Sequence, residues 1–205
     1  WGWGVMNQVA IKEAASIRYP MDRFIGNWWA GSEHDVLPAG EGADGYLSAT
    51  FHAPGGNFAM HDDIRKYVYD AGKGAGERER VGEVLYNRGM IAAVWTAEAI
   101  RKAIEIKGSN EIVGKDLREG FEALSVDEAR LAQLGLADFT FPVKIDCATH
   151  SNPGTVLIQQ WNAKDQTWKV VATGIEPDRE IIDPLIEEDS MAYAKENNIT
   201  PRTCE

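Results

Sequence analysis

The chain has 205 residues, 44% hydrophobic and 26% charged, with 32 Asp and Glu against 21 Lys and Arg and a formal net charge of −11. This composition belongs to a folded protein with a core of its own and excludes a disordered or fibrous one. The acidic balance excludes nucleic acid as a favoured partner and disfavours an acidic membrane surface, because both need a basic footprint.

The chain opens on Trp1-Gly2-Trp3-Gly4, without a basic n-region or an apolar signal segment, and reads as a cut through a longer protein. Val9, Ala10, Ala14 and Ile17 recur at helical spacing over Met6 to Ile17, which predicts a surface helix stopped by Pro20. Phe24 to Trp29 reads as a short buried strand that opens into the polar, Gly-rich stretch Ala30 to Gly45. Tyr46 to His52 is the next strand, broken by Pro54-Gly55-Gly56, and the alternation predicts an α/β layer with a parallel sheet. Helices follow over Asp62 to Ala71 and, after the turn Gly72 to Gly76, within Arg80 to Lys107. The first half of the latter is expected to be buried on all sides, because Ile91 and Val94 continue its polar stripe as apolar residues.

Lys115 to Leu124 and Asp127 to Leu134 are shorter helices, the second capped by Ser125 with Glu128 three positions on. Val156 to Trp161 and Trp168 to Thr173, separated by Asn162-Ala163-Lys164-Asp165, predict a hairpin, and a last helix runs from about Arg179 to Glu196. The longest stretch free of charge is Gly89 to Ala97, nine residues, where a bilayer span takes about 20.

Chemistry-bearing motifs are sparse. Gly72, Gly74 and Gly76 lack the strand and the Lys-Ser/Thr ending of a phosphate loop, and no Gly-x-Ser-x-Gly elbow is present. The histidines His34, His52, His61 and His150 are scattered, and His61-Asp62-Asp63 reads as a helix start rather than a metal-ligand set. No catalytic residue, metal or cofactor is therefore expected. Cys147 and Cys204 have no companion set for zinc and point to a disulfide, hence an oxidising compartment; two free thiols in a cytosolic protein are the alternative.

Seven tryptophans remain. Trp95, Trp161 and Trp168 read as packing residues. Trp1, Trp3, Trp28 and Trp29 fall at junctions between elements, where open α/β sheets hold ligands, so they are candidate ligand contacts with core packing as the alternative.

Several segments together resemble the type I periplasmic solute-binding proteins of branched-chain amino acid ABC transporters. They are Trp1-Gly2-Trp3-Gly4, Phe24-Ile25-Gly26 before Trp28-Trp29, Gly42-Ala43-Asp44-Gly45-Tyr46, Tyr86-Asn87-Arg88-Gly89, and the strand Val156 to Trp161. The resemblance implies two Rossmann-like α/β lobes joined by crossing strands, a solute held between them, and hinge closure. On that map the chain is about the C-terminal half, with 1–48 and 146–205 in the second lobe and 51–141, mostly helical, in the first. The N-terminal half would lie upstream, and without it sheet edges and core faces would be bare.

The implied partners are a small-molecule solute, the missing half, and an ABC transporter permease in the inner membrane; the implied location is the periplasm. Trp1 and Trp3 correspond to a ligand-contacting loop. Trp28 stands where amino acid binders of the family carry a Glu for the ligand ammonium, which points away from leucine-like solutes and toward an aromatic or other apolar carboxylate whose acid partners lie in the missing lobe. A sensor domain of the same fold is the alternative, and an exported hydrolase a more distant one.

Overall fold

A computed structural model describes residues 2–150 and 154–204. Its central sheet has four strands in the order β1 (Ile25–Gly26), β2 (Leu47–Thr50), β5 (Val156–Asn162) and β6 (Thr167–Ile175). Only β1 and β2 are parallel; β2 pairs antiparallel with β5, and β5 with β6. The expected parallel sheet is thus a mixed one, because the hairpin inserts its first strand beside β2. A separate two-stranded ribbon joins β3 (Ser125–Val126) to β4 (Val143–Lys144).

Seven helices surround these strands among the described residues: α1 (Val5–Ser16), α2 (Glu33–Val36), α3 (Ala59–Ile64), α4 (Val84–Lys107), α5 (Gly114–Glu122), α6 (Glu128–Gln133) and α7 (Arg179–Glu196). Several sequence expectations are corrected here. Helix α1 buries Asn7 and Ile11, while Val9 and Ile17 of the predicted stripe are exposed. The first half of α4 is not buried all round: Val84, Asn87, Met90 and Ile91 face inward, but Leu85 is 47% exposed. Helix α6 is capped by Asp127, whose carboxylate accepts from Arg130 N at 2.8 Å, and not by Ser125, which pairs in β3. The stretch after Trp29 is ordered into α2 and 3-10 turns over Leu37–Ala43. The helix expected over Asp62 to Ala71 starts earlier, as α3, and continues as a π-helical turn over Arg65–Tyr69.

Two apolar cores pack along the strands. One gathers Ala53, Met90, Ile91, Leu124, Val126, Leu131, Leu136, Phe139, Val143 and Leu157, with Trp95 packed half-buried at its margin. The other gathers Ile11, Met21, Val36, Ala43, Tyr46, Val84, Trp161 and Trp168, so the two hairpin tryptophans are packing residues. Inside the first core His52 and His61 are fully buried on either side of Phe139. Asn87 holds His61 in place: its Oδ1 is 2.7 Å from His61 Nε2, and its Nδ2 donates to Gly55 O at 2.9 Å.

The Cys147–Cys204 disulfide is present, with Cα atoms 5.7 Å apart and the two cysteines 57 positions apart in sequence. Beside it Arg202 grips Glu122 of α5, so the tail is fastened at its end. Helix α7 buries no residue, and Ile181, Leu185, Ile186, Met191 and Tyr193 are exposed along it. Reduction is therefore expected to reveal two thiols by mass or thiol titration and to make the segment beyond Ile175 the first site of proteolysis, because the bond is its main restraint. A cleavage pattern unchanged by reduction would show that α7 is held by other means.

Candidate ligand-binding site

Strand β1 ends at Gly26, and the chain then turns through Asn27 and a 3-10 turn over Trp28–Ala30. This turn is held from all sides. Its five successive carbonyls, from Asn27 to Gly31, each accept a hydrogen bond from a side chain on another segment. Ser48 Oγ donates to Asn27 O at 3.0 Å, Arg88 Nη2 to Trp28 O at 2.5 Å and Asn7 Nδ2 to Trp29 O at 2.6 Å. Tyr46 Oη donates to Ala30 O at 2.9 Å, and Gln159 Nε2 to Gly31 O at 2.7 Å. Asn27 closes the turn locally, its Oδ1 accepting from Trp29 N at 3.0 Å. Backbone pinned this fully has little conformational freedom left to lose on binding.

The glycines bounding the turn are needed for close approach. A Cβ at Gly26 would lie 2.1 Å from Tyr46 Oη, and one at Gly31 would lie 2.1 Å from Ser48 Oγ, so either would push out a donor that holds the turn. Burial, with Asp35 nearby, pushes the Tyr46 phenol above its ordinary value, which keeps it a neutral donor to Ala30. Asp35 accepts from Ser32 N, Ser32 Oγ and Asn7 Nδ2, and thereby orients the amide that holds Trp29.

The turn carries its indoles outward. Trp3 lies against Trp29 at 4.3 Å between ring centroids, and Trp29 against Trp28 at 5.5 Å. Trp28 meets Phe51 edge-on at 6.5 Å, and the Arg88 guanidinium stands over Phe51 at 6.0 Å. Trp3 is 60% and Trp29 36% exposed, whereas Trp28 is half-buried. A cavity of about 580 Å³ opens beside this row between α1 and β1, lined by Asn7, Ile11, Phe24, Gly26, Trp28 and Tyr46 among others. That volume suits a small organic molecule.

Of the four tryptophans singled out in the sequence, Trp3, Trp28 and Trp29 come together at one surface, and Trp1 lies outside the described residues. Sequence reading missed Phe51, just past β2, and Arg88 of α4, which meet Trp28, and missed the four other side chains that fix the turn. Arg88 sits in the quoted Tyr86-Asn87-Arg88-Gly89 segment, but no spacing rule ties it to Trp28 sixty residues earlier. Among the described residues no three His, Cys, Asp or Glu side chains are grouped to hold a metal ion.

The mixed sheet with helices around it is the fold of the type I periplasmic binding proteins. The chain spans about half the length of the solved ABC transporter proteins it matches. A solved structure described as an ABC transporter permease from the Pseudomonas fluorescens group is 38% identical with a TM-score of 0.91, over 99% of this chain and 49% of that one. A branched-chain amino acid ABC transporter protein from Thermus thermophilus with bound valine is 17% identical with a TM-score of 0.65, over 89% and 47%. A leucine binding protein, LivK, from Thermotoga maritima is 16% identical with a TM-score of 0.55, over 86% and 43%. No family model and no curated protein matches the chain. No helix among the described residues is long and apolar enough to cross a membrane.

Proposed function

We propose that the protein containing this chain is the periplasmic solute-binding component of an ABC transporter, capturing a small organic acid between two lobes for delivery to a permease, with no reaction of its own. The observation that carries this reading is the fixed turn over Asn27 to Gly31, which displays Trp28 and Trp29 beside a cleft while its backbone is held on every carbonyl. A rigid aromatic wall is what capture of a flat apolar solute requires. The solved relatives support the binding role, and one of them holds valine. The disulfide supports an oxidising compartment.

The lobes are proposed as 1–48 with 146–205, and 51–141. The two cores support that division, since one is drawn mainly from each set of segments. A further half of the fold, as long as the unmatched part of the relatives, is proposed to cover the apolar residues now open on α1 and α7, among them Val5, Met6, Ile181 and Leu185.

Replacing Trp28 with alanine in the intact protein is expected to weaken solute binding by about 1–3 kcal/mol, the loss of one central aromatic contact. Calorimetry on a ligand found by thermal-shift screening of aromatic acids, branched-chain amino acids and amides measures it. Equal affinities for wild type and variant would remove Trp28 from the site, and steady conversion of the ligand would replace capture with catalysis.

A further inference from the structure

Arg88 is the cation of the aromatic row, and among the described residues no carboxylate forms an ion pair with it. Among the described residues it makes one hydrogen bond, from Nη2 to the Trp28 carbonyl at 2.5 Å, and one ring contact, over Phe51 at 6.0 Å. Its Nε is buried with no acceptor. The carboxylates nearest in effect are committed elsewhere: Asp35 accepts from Ser32 and Asn7, and Glu33 accepts from Val84 N at the start of α4. A half-buried guanidinium without a counter-charge costs the protein free energy, and in a chain of net charge −11 acidic side chains to neutralise it are plentiful. Every other arginine in a partly buried network here has its carboxylate, as Arg130 has Glu98 at 2.6 Å. Burial pulls Arg88 below its ordinary value, and the charges of Asp35 and Glu33 work in the opposite sense without cancelling it.

We infer that Arg88 is the anchor for the solute's carboxylate, and that Trp28 and Phe51 take the apolar or aromatic body of the same molecule. The inference rests on the solute-capture reading above and moves the acid-binding group into this chain. Two observations meet in it. The guanidinium keeps a planar fork of donors of which only one is used, the geometry that carboxylates fill in pairs. The rings of Trp28 and Phe51 meet edge to face and the guanidinium stands over Phe51, so an acid group held by Arg88 would have aromatic surface next to it. The strong hydrogen bond to Trp28 O fixes the fork in place before any ligand arrives.

The test compares acids with their uncharged primary amides in the intact protein by titration calorimetry: benzoate, phenylacetate, 3-phenylpropionate and leucine, each against its amide. Wild type is expected to favour at least one acid over its amide by about thirtyfold or more, the usual loss when a buried charge pair loses one member. Arg88→Gln should bring that ratio to within about twofold, whatever its loss of the bond to Trp28 O does to acid and amide alike. Arg88→Lys, which keeps the charge but not the fork, should fall between the two and serves if the Gln variant fails to fold. A purely structural role for Arg88, holding Trp28, would weaken acid and amide together and leave the ratio intact; that result overturns the assignment while capture stands. A wild-type ratio near one also overturns it. Binding of none of the eight compounds would instead sink the capture reading, and Arg88 with it.

Discussion

Phe139→Ala is expected to destabilise the protein by about 3–5 kcal/mol, the cost of emptying a large aromatic site in a closed core. Phe139 is fully buried and touches three rings: His52 stacked at 5.4 Å, Phe58 edge-on at 5.0 Å and His61 at 5.8 Å. Its backbone oxygen also accepts from Ala53 N at 2.7 Å, and its neighbour Thr140 donates to Phe51 O at 2.8 Å. The cavity would therefore open under the segment that places Phe51 beside Trp28 and Arg88. Urea unfolding should show a lower midpoint with an unchanged slope, and ligand affinity should fall as well. A loss below about 1 kcal/mol would mean that the core collapses around the gap and that Phe139 does not brace the site.

Acidification supplies the second large effect. His52 is held down to about 4 because burial penalises its charged form, while its hydrogen bond to Ala53 O works in the opposite sense and Arg88 and His61 add to the lowering. His61 is lowered for the same leading reason, against its bond to Asn87. As pH falls through about 6.5 the unfolded chain takes up protons that the folded core refuses, so stability drops through this window and levels off once the folded histidine itself titrates near 4. His52 alone accounts for roughly 3 kcal/mol over that range. Urea titrations at pH 8, 6.5 and 5 measure the slope, and His52→Gln should flatten most of it. A profile flat from pH 6.5 to 5 in the unaltered protein would show that His52 is reached by water in solution.

Glu98 contributes in a separate window. Hydrogen bonds from Arg130 and then Arg101 hold its carboxyl down to about 2, so its stabilisation is complete above the ordinary carboxylate range and is lost only as pH falls toward 2. The two effects can thus be told apart along one titration.

What the residues determined alone was local. The hairpin came from apolar runs either side of Asn162 to Asp165, and α7 was placed from Arg179 to Glu196, because turn chemistry and helical spacing act between near neighbours. The disulfide was legible because only two cysteines exist. The junction tryptophans were legible as a type of residue in a type of place. The fold class was legible through several weak segments in the right order, and the solved relatives share it.

The tertiary structure decided the rest. Helix α1 turned Asn7 inward against the apolar pattern because the Trp29 carbonyl and Asp35 needed a donor there. The sheet became mixed because β5 comes back antiparallel to β2 from more than a hundred residues away. Phe51 and Arg88 joined Trp28 only when β2 and α4 were packed against the turn. No periodicity encodes a contact between residues sixty positions apart, since what brings them together is the burial of shared apolar surface and the need of each buried carbonyl for a donor.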